Sequence, residues 1–131
     1  MKKPYFLYAD SNIEDKDCLE KMLYEFKPLQ KFFFVNNGFE LIEFLQRVPK
    51  GNAYPSVIIM AESMHRLDGL STLELLKSDD VYCLIPVIIL GSPKSFKNPQ
   101  VYHHLGADVI TKATDMPGWK KVAEEICEYN Y

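Results

Sequence analysis

Apolar runs of strand length alternate along this chain with longer stretches in which apolar residues return every three or four positions. Tyr5 to Ala9 reads as a first strand. Residues 13–27 follow with Leu19, Met22, Leu23 and Phe26, the spacing of one buried helix face. Asn12 stands where a helix cap is needed, Glu14 and Asp15 where the positive end of the helix dipole favours acids, and Pro28 where the helix should stop. Lys31 to Val35, KFFFV, is a second strand, and Asn36-Asn37-Gly38 is turn chemistry. A second helix is predicted over Phe39 to Val48, with Leu41, Ile42, Leu45 and Val48 inward. Val57 to Ala61 is a third strand, and Leu70 to Ser78 a third helix carrying Leu73, Leu75 and Leu76. The fourth strand is the most apolar run, IPVIIL from Ile85 to Leu90. A short fourth helix over Pro99 to Leu105, a fifth strand over Asp108 to Thr111 and a last helix over Met116 to Tyr129 complete the pattern. Trp119, Val122, Ala123 and Ile126 mark the inner face of that last helix.

Five strands alternating with five helices imply right-handed crossovers and a parallel sheet covered on both faces. VIIM and IPVIIL lack polar alternation, as strands buried on both sides should. The economical architecture is α/β, a flavodoxin-like (βα)5 doubly wound parallel sheet of strand order 2-1-3-4-5, with residues 1–131 forming one domain. In that order a functional site forms at the carboxyl ends of the strands. The residues to watch are therefore Asp10-Ser11, Ala61, Gly91-Ser92 and Lys112.

Bulk properties narrow the function classes. A net charge of −3 without a long run of one sign gives no footprint for nucleic acid or an anionic membrane. Two lysines precede Tyr5–Ala9, but that apolar run is too short for a signal peptide or a span, so a cytoplasmic location is expected. The three cysteines are scattered and form no Cys-x-x-Cys, which points to reduced thiols rather than zinc or redox chemistry. Adjacent His103 and His104 point about 100° apart on a helix and do not chelate one ion easily.

The segments LYADSNIED, NNGFELIEFL, PSVIIMAESMHRLDGL, IPVIILGS and LGADVITKAT, in this order, cover nearly all of the chain. Together they resemble the receiver domain of two-component response regulators, the CheY-like superfamily, and most of all its small stand-alone members. The resemblance implies acyl-phosphate chemistry on a strand-three aspartate. Two acids after strand one hold Mg²⁺, a hydroxyl after strand four senses the phosphoryl group, and a lysine after strand five pairs with it.

Carried over by position, the two acids fall on Asp10 and Ser11, the phosphoacceptor on Ala61, and the backbone metal ligand on Ser63. The switch hydroxyl falls on Gly91, with Ser92 beside it, and the lysine on Lys112. The proline that usually follows that lysine is Ala113, so no cis bond is expected there, and Asp68-Gly69 is turn chemistry. The chain thus reads as an atypical receiver, a pseudo-receiver without phosphoacceptor chemistry, and not as an enzyme. With one acid of three retained, no specific Mg²⁺ site and no other cofactor are expected. Asp10 and Lys112 are expected to pair directly, and Glu62 is a candidate anionic stand-in leaning toward Lys112.

The implied role in phosphorelay signalling is phosphorylation-independent binding of a protein partner, such as a histidine kinase or an output domain. Docking would use helices one, four and five, on a monomer or weak homodimer, with Tyr102, Tyr129 and Tyr131 as exposed anchors. No nucleic acid or membrane partner is expected. Two alternatives stand beside this reading. One is a phosphoryl-accepting receiver with a displaced acceptor, Glu62 or Ser63. The other is an unrelated flavodoxin-like ligand-binding domain, for which DSNIEDKD offers acids but no phosphate-cradling glycine.

Overall fold

The structure is a computed structural model, and it describes residues 5–49, 52–92 and 99–128. Strands β1 (Tyr5–Ala9), β2 (Lys31–Val35), β3 (Val57–Ala61), β4 (Val87–Gly91) and β5 (Asp108–Thr111) form one sheet of order β2-β1-β3-β4-β5. Every neighbouring pair is parallel. Helices α1 (Ile13–Phe26), α2 (Gly38–Gln46), α3 (Gly69–Lys77), α4 (Pro99–His104) and α5 (Met116–Glu128) cross between the strands.

Strand alternation divides the core in two. Phe6, Tyr8, Val57, Ile59, Ile88, Leu90 and Ile110 pack with α1 and α5 on one face. Leu7, Ala9, Ile58, Met60, Val87 and Ile89 pack with α2, α3 and α4 on the other. β3 and β4 are buried along their whole length, which is why their sequences lack polar alternation.

The strands β1, β2, β3 and β5 lie where the sequence places them. The fourth strand starts two residues later than expected, after a 3₁₀ turn at Tyr82–Leu84. Pro86 has no N–H to give a ladder, so it contributes only its carbonyl, which accepts from Ile58 N–H at 2.9 Å. Helices α2 and α3 each begin one residue early, on a glycine behind a side-chain cap. Asn37 Oδ1 accepts from Glu40 N–H at 2.9 Å, and Asp68 Oδ1 from Ser71 N–H at 2.8 Å. Asn12 caps α1 as expected, accepting from Asp15 N–H at 3.1 Å. Two residues expected inside are outside: Phe26, the last residue of α1, and Leu75, which lies half exposed on the outer face of α3.

Gly69 matters for position. Its N–H donates to Glu62 O at 2.9 Å, and a Cβ there would lie 2.6 Å from Ala61 O and 3.1 Å from Glu62 Cα. Those are backbone atoms that cannot step aside. Gly69→Ala is therefore expected to lower the unfolding free energy by about 2 kcal/mol, despite the better helix propensity of alanine. A urea midpoint that does not fall would contradict this packing.

Candidate functional site at the crest of the sheet

β1 runs directly into Asp10, which is buried, and β5 directly into Lys112. Alternation turns both onto the α1–α5 face of the sheet. There the Lys112 ammonium lies 2.8 Å from Asp10 Oδ2 and 2.8 Å from Asp15 Oδ2. The expected pair is thus present, but as a triangle of one ammonium and two carboxylates. Asp10 is further held on both oxygens: Tyr8 OH donates to Oδ2 at 2.7 Å, and Asn12 N–H to Oδ1 at 2.9 Å. Burial raises the Tyr8 phenol well above its ordinary pKa, aided by the charge of Asp10 and the hydrogen bond to it, so Tyr8 remains a donor.

Ala61 ends β3 in register with Leu90 of β4, and is buried. It shares the face of Val57 and Ile59, and so of Asp10, and presents a methyl group there. One residue on, the chain turns to the opposite face. Glu62 does not lean toward Lys112; its Oε2 accepts from Tyr102 OH at 2.7 Å, on the α2–α4 side of the sheet. The one-residue step that reverses side-chain direction is the physical reason for this correction. Tyr102 is correspondingly not an exposed anchor: it is buried. Its phenol pKa is raised by burial, then by the hydrogen bond to Glu62 and the charges of Glu62 and Asp68. Tyr129 and Tyr131 lie outside the described residues.

Ser11 is not an idle remnant. Its hydroxyl donates to Asn36 O at 2.6 Å and accepts from His65 N–H at 2.9 Å, joining three crest loops. Ser63 is exposed and lines a shallow cleft of about 380 Å³ with Ser11, Asn12, Met64 and His65. Gly91 ends β4, buried, and its carbonyl accepts from Lys112 N–H at 2.7 Å; Ser92 follows, half-buried. Asp10, Asp15, Lys112 and Tyr8 therefore form one cluster, while Glu62 belongs to another. Asp15 and Tyr8 escaped sequence reasoning as site residues. Asp15 was accounted for by the helix dipole alone, and it lies 97 positions from the lysine it meets.

All three cysteines are free thiols. Among the described residues, no group of three or more His, Cys, Asp or Glu side chains is arranged to hold a metal ion. No helix among them is long and apolar enough to cross a membrane.

No protein-family model and no curated protein sequence matches the chain. Solved structures do. The phosphorylated cyanobacterial phytochrome response regulator RcpA superposes with a TM-score of 0.85 at 19% identity, covering 97% of this chain and 93% of that one. The Mn(2+)-bound response regulator Rcp1 gives 0.82 at 17% identity, over 94% and 91% of the two chains. The chemotaxis response regulator CheY4 of Vibrio cholerae gives 0.73 at 17% identity, over 95% and 99%. At such identities the likeness speaks to architecture, and this chain has the five-stranded, doubly wound 2-1-3-4-5 fold of these response regulators.

Proposed function

We propose that the chain is a receiver-type signalling domain that works as a phosphorylation-independent protein-binding module. The observation that carries this reading is the Lys112 ammonium, held between Asp10 and Asp15 at 2.8 Å each, beside a buried methyl at Ala61. A lysine that would pair with a phosphoryl group is already neutralised, and the position that would carry the phosphoryl group has no nucleophilic atom.

The same residues do not fit Mg²⁺. Both Asp10 oxygens are engaged, one of them by an ammonium, Ser11 is neutral and bound to a carbonyl, and Ala61 offers no ligand. A hard, reluctantly dehydrated cation would have to displace Lys112 from Asp10 and Asp15 and would still lack a third acid at Ala61 or Ser11. The displaced acceptors fit no better. Glu62 is bonded to Tyr102 on the far face, and Ser63 lies exposed in the loop beyond β3. In this reading the protein is not an enzyme. It acts as a monomer or weak homodimer through α1, α4 and α5, where Ile13, Val101 and Met116 offer exposed apolar contact points. Its partner is a protein of the histidine-kinase or output-domain kind.

The test is incubation with acetyl phosphate and Mg²⁺ followed by intact-mass measurement. The expected mass is unchanged, and titration calorimetry with Mg²⁺ is expected to show no saturable heat in the millimolar range. A gain of one phosphoryl group, or a tight cation site lost in Asp10→Ala, would overturn the reading.

A further inference from the structure

The groove between α3 and α4, about 430 Å³ and lined by Leu70, Glu74, Gln100, Val101, His104 and Leu105, has both walls fastened to a single residue. Glu62 O accepts from Gly69 N–H, the first residue of α3, at 2.9 Å. Glu62 Oε2 accepts from Tyr102 OH of α4 at 2.7 Å. We infer that Glu62 is the joint of this groove, and that the Tyr102–Glu62 bond is a standing latch that sets α4 against α3 whatever the state of the crest. The inference rests on the binding-module reading above, since a groove held in one shape suits a partner recognised without a phosphoryl signal.

Three observations support a latch over incidental contact. The backbone that carries the acceptor is pinned on both sides: Glu62 N–H donates to Leu90 O at 2.8 Å, and Gly69 approaches the Glu62 peptide closely from the other. The helix it holds cannot hold itself. α4 has six residues, below the length at which a helix persists alone, and Tyr102 is its one buried residue. The bond is also of the strong kind, a phenol donating to a carboxylate, and the raised pKa of Tyr102 keeps the proton in place. Tyr102 passes the constraint onward as well: its carbonyl accepts from Leu105 N–H at 3.1 Å and Ala107 N–H at 2.9 Å, at the entry to β5.

Hydrogen–deuterium exchange of the full chain tests the latch. Tyr102→Phe removes one oxygen and keeps the buried ring. It is expected to speed exchange across α4 and at Leu105 and Ala107 about tenfold, while β1 and α5 amides stay unchanged. Glu62→Gln keeps an acceptor and loses the charge, and a smaller rise, about threefold, is expected. No rise in α4, or an equal rise throughout the chain, would overturn the latch. Acetyl phosphate and Mg²⁺ added to the unaltered protein separate the two proposals. A mass gain with α4 protection unchanged would sink the binding-module reading and leave the latch. No mass gain with a silent Tyr102→Phe would do the reverse.

Discussion

Lys112→Met is expected to lower the unfolding free energy by about 3 kcal/mol, because it leaves two carboxylates facing one hollow with no cation. Methionine keeps most of the side-chain stem, so packing changes little and the loss reports the charge. Asp10 suffers most. Its side chain is 1% exposed, and without the ammonium Tyr8 OH and Asn12 N–H are the partners left to it among the described residues. Asp15, at 24%, can turn to water, so Asp15→Asn is expected to cost no more than about 1 kcal/mol. Asp10→Asn paired with Lys112→Met should recover much of the single-variant loss, with a coupling of about 2 kcal/mol, since a neutral pair needs no counter-charge. Urea denaturation followed by fluorescence of the single, buried Trp119 measures the unaltered protein, Lys112→Met, Asp15→Asn, Asp10→Asn and the double variant, the third single closing the cycle. Equal losses in the single and double variants would show that the triangle is a surface ornament and not the electrostatic centre of the crest.

Ala61→Asp is expected to cost about 3 kcal/mol without a divalent cation. The new carboxylate would enter a site 1% exposed, on the face that already holds Asp10, and burial together with like charge disfavours its ionised form. Combined with Ser11→Asp, the outcome is expected to invert when Mg²⁺ is added. Asp10 and the two introduced acids then face one hollow, with Asp15 on its rim, cation binding to the native state restores stability, and acetyl phosphate adds one phosphoryl group by intact mass. Ser11→Asp gives up the hydrogen bond donated to Asn36 O, so the double variant without metal should be the least stable protein of the series. If Ala61→Asp is silent, or the double variant gains neither Mg²⁺-dependent stability nor a phosphoryl group, then Ala61 does not occupy the position that the resemblance assigns to it.

The elements were legible because their signals are local. Asn12 announces α1 and caps it, and VIIM announces a strand buried on both faces and is one. Trp119, Val122, Ala123 and Ile126 announce the inner face of α5 and are all buried. The misreadings also have local causes. Leu75 satisfies a leucine count on α3 but not its inward arc, and IPVIIL hides a proline that delays the strand by two residues. At the crest, the meeting of Asp10 and Lys112 followed from strand order, because parallel strands deliver their carboxyl ends to one edge.

The sequence by itself determined the order of strands and helices, the doubly wound arrangement, and which residues reach the carboxyl edge of the sheet. Periodicity, caps and turn residues act over a few positions and need no knowledge of the rest. Only the tertiary structure decided that Asp15 joins Asp10 on Lys112, that Glu62 turns its back on them, and that Tyr102 is buried to meet it. Those pairings span 97 and 40 positions. They depend on which face of the sheet a side chain leaves once its strand has ended, and packing of the helices around that edge sets it.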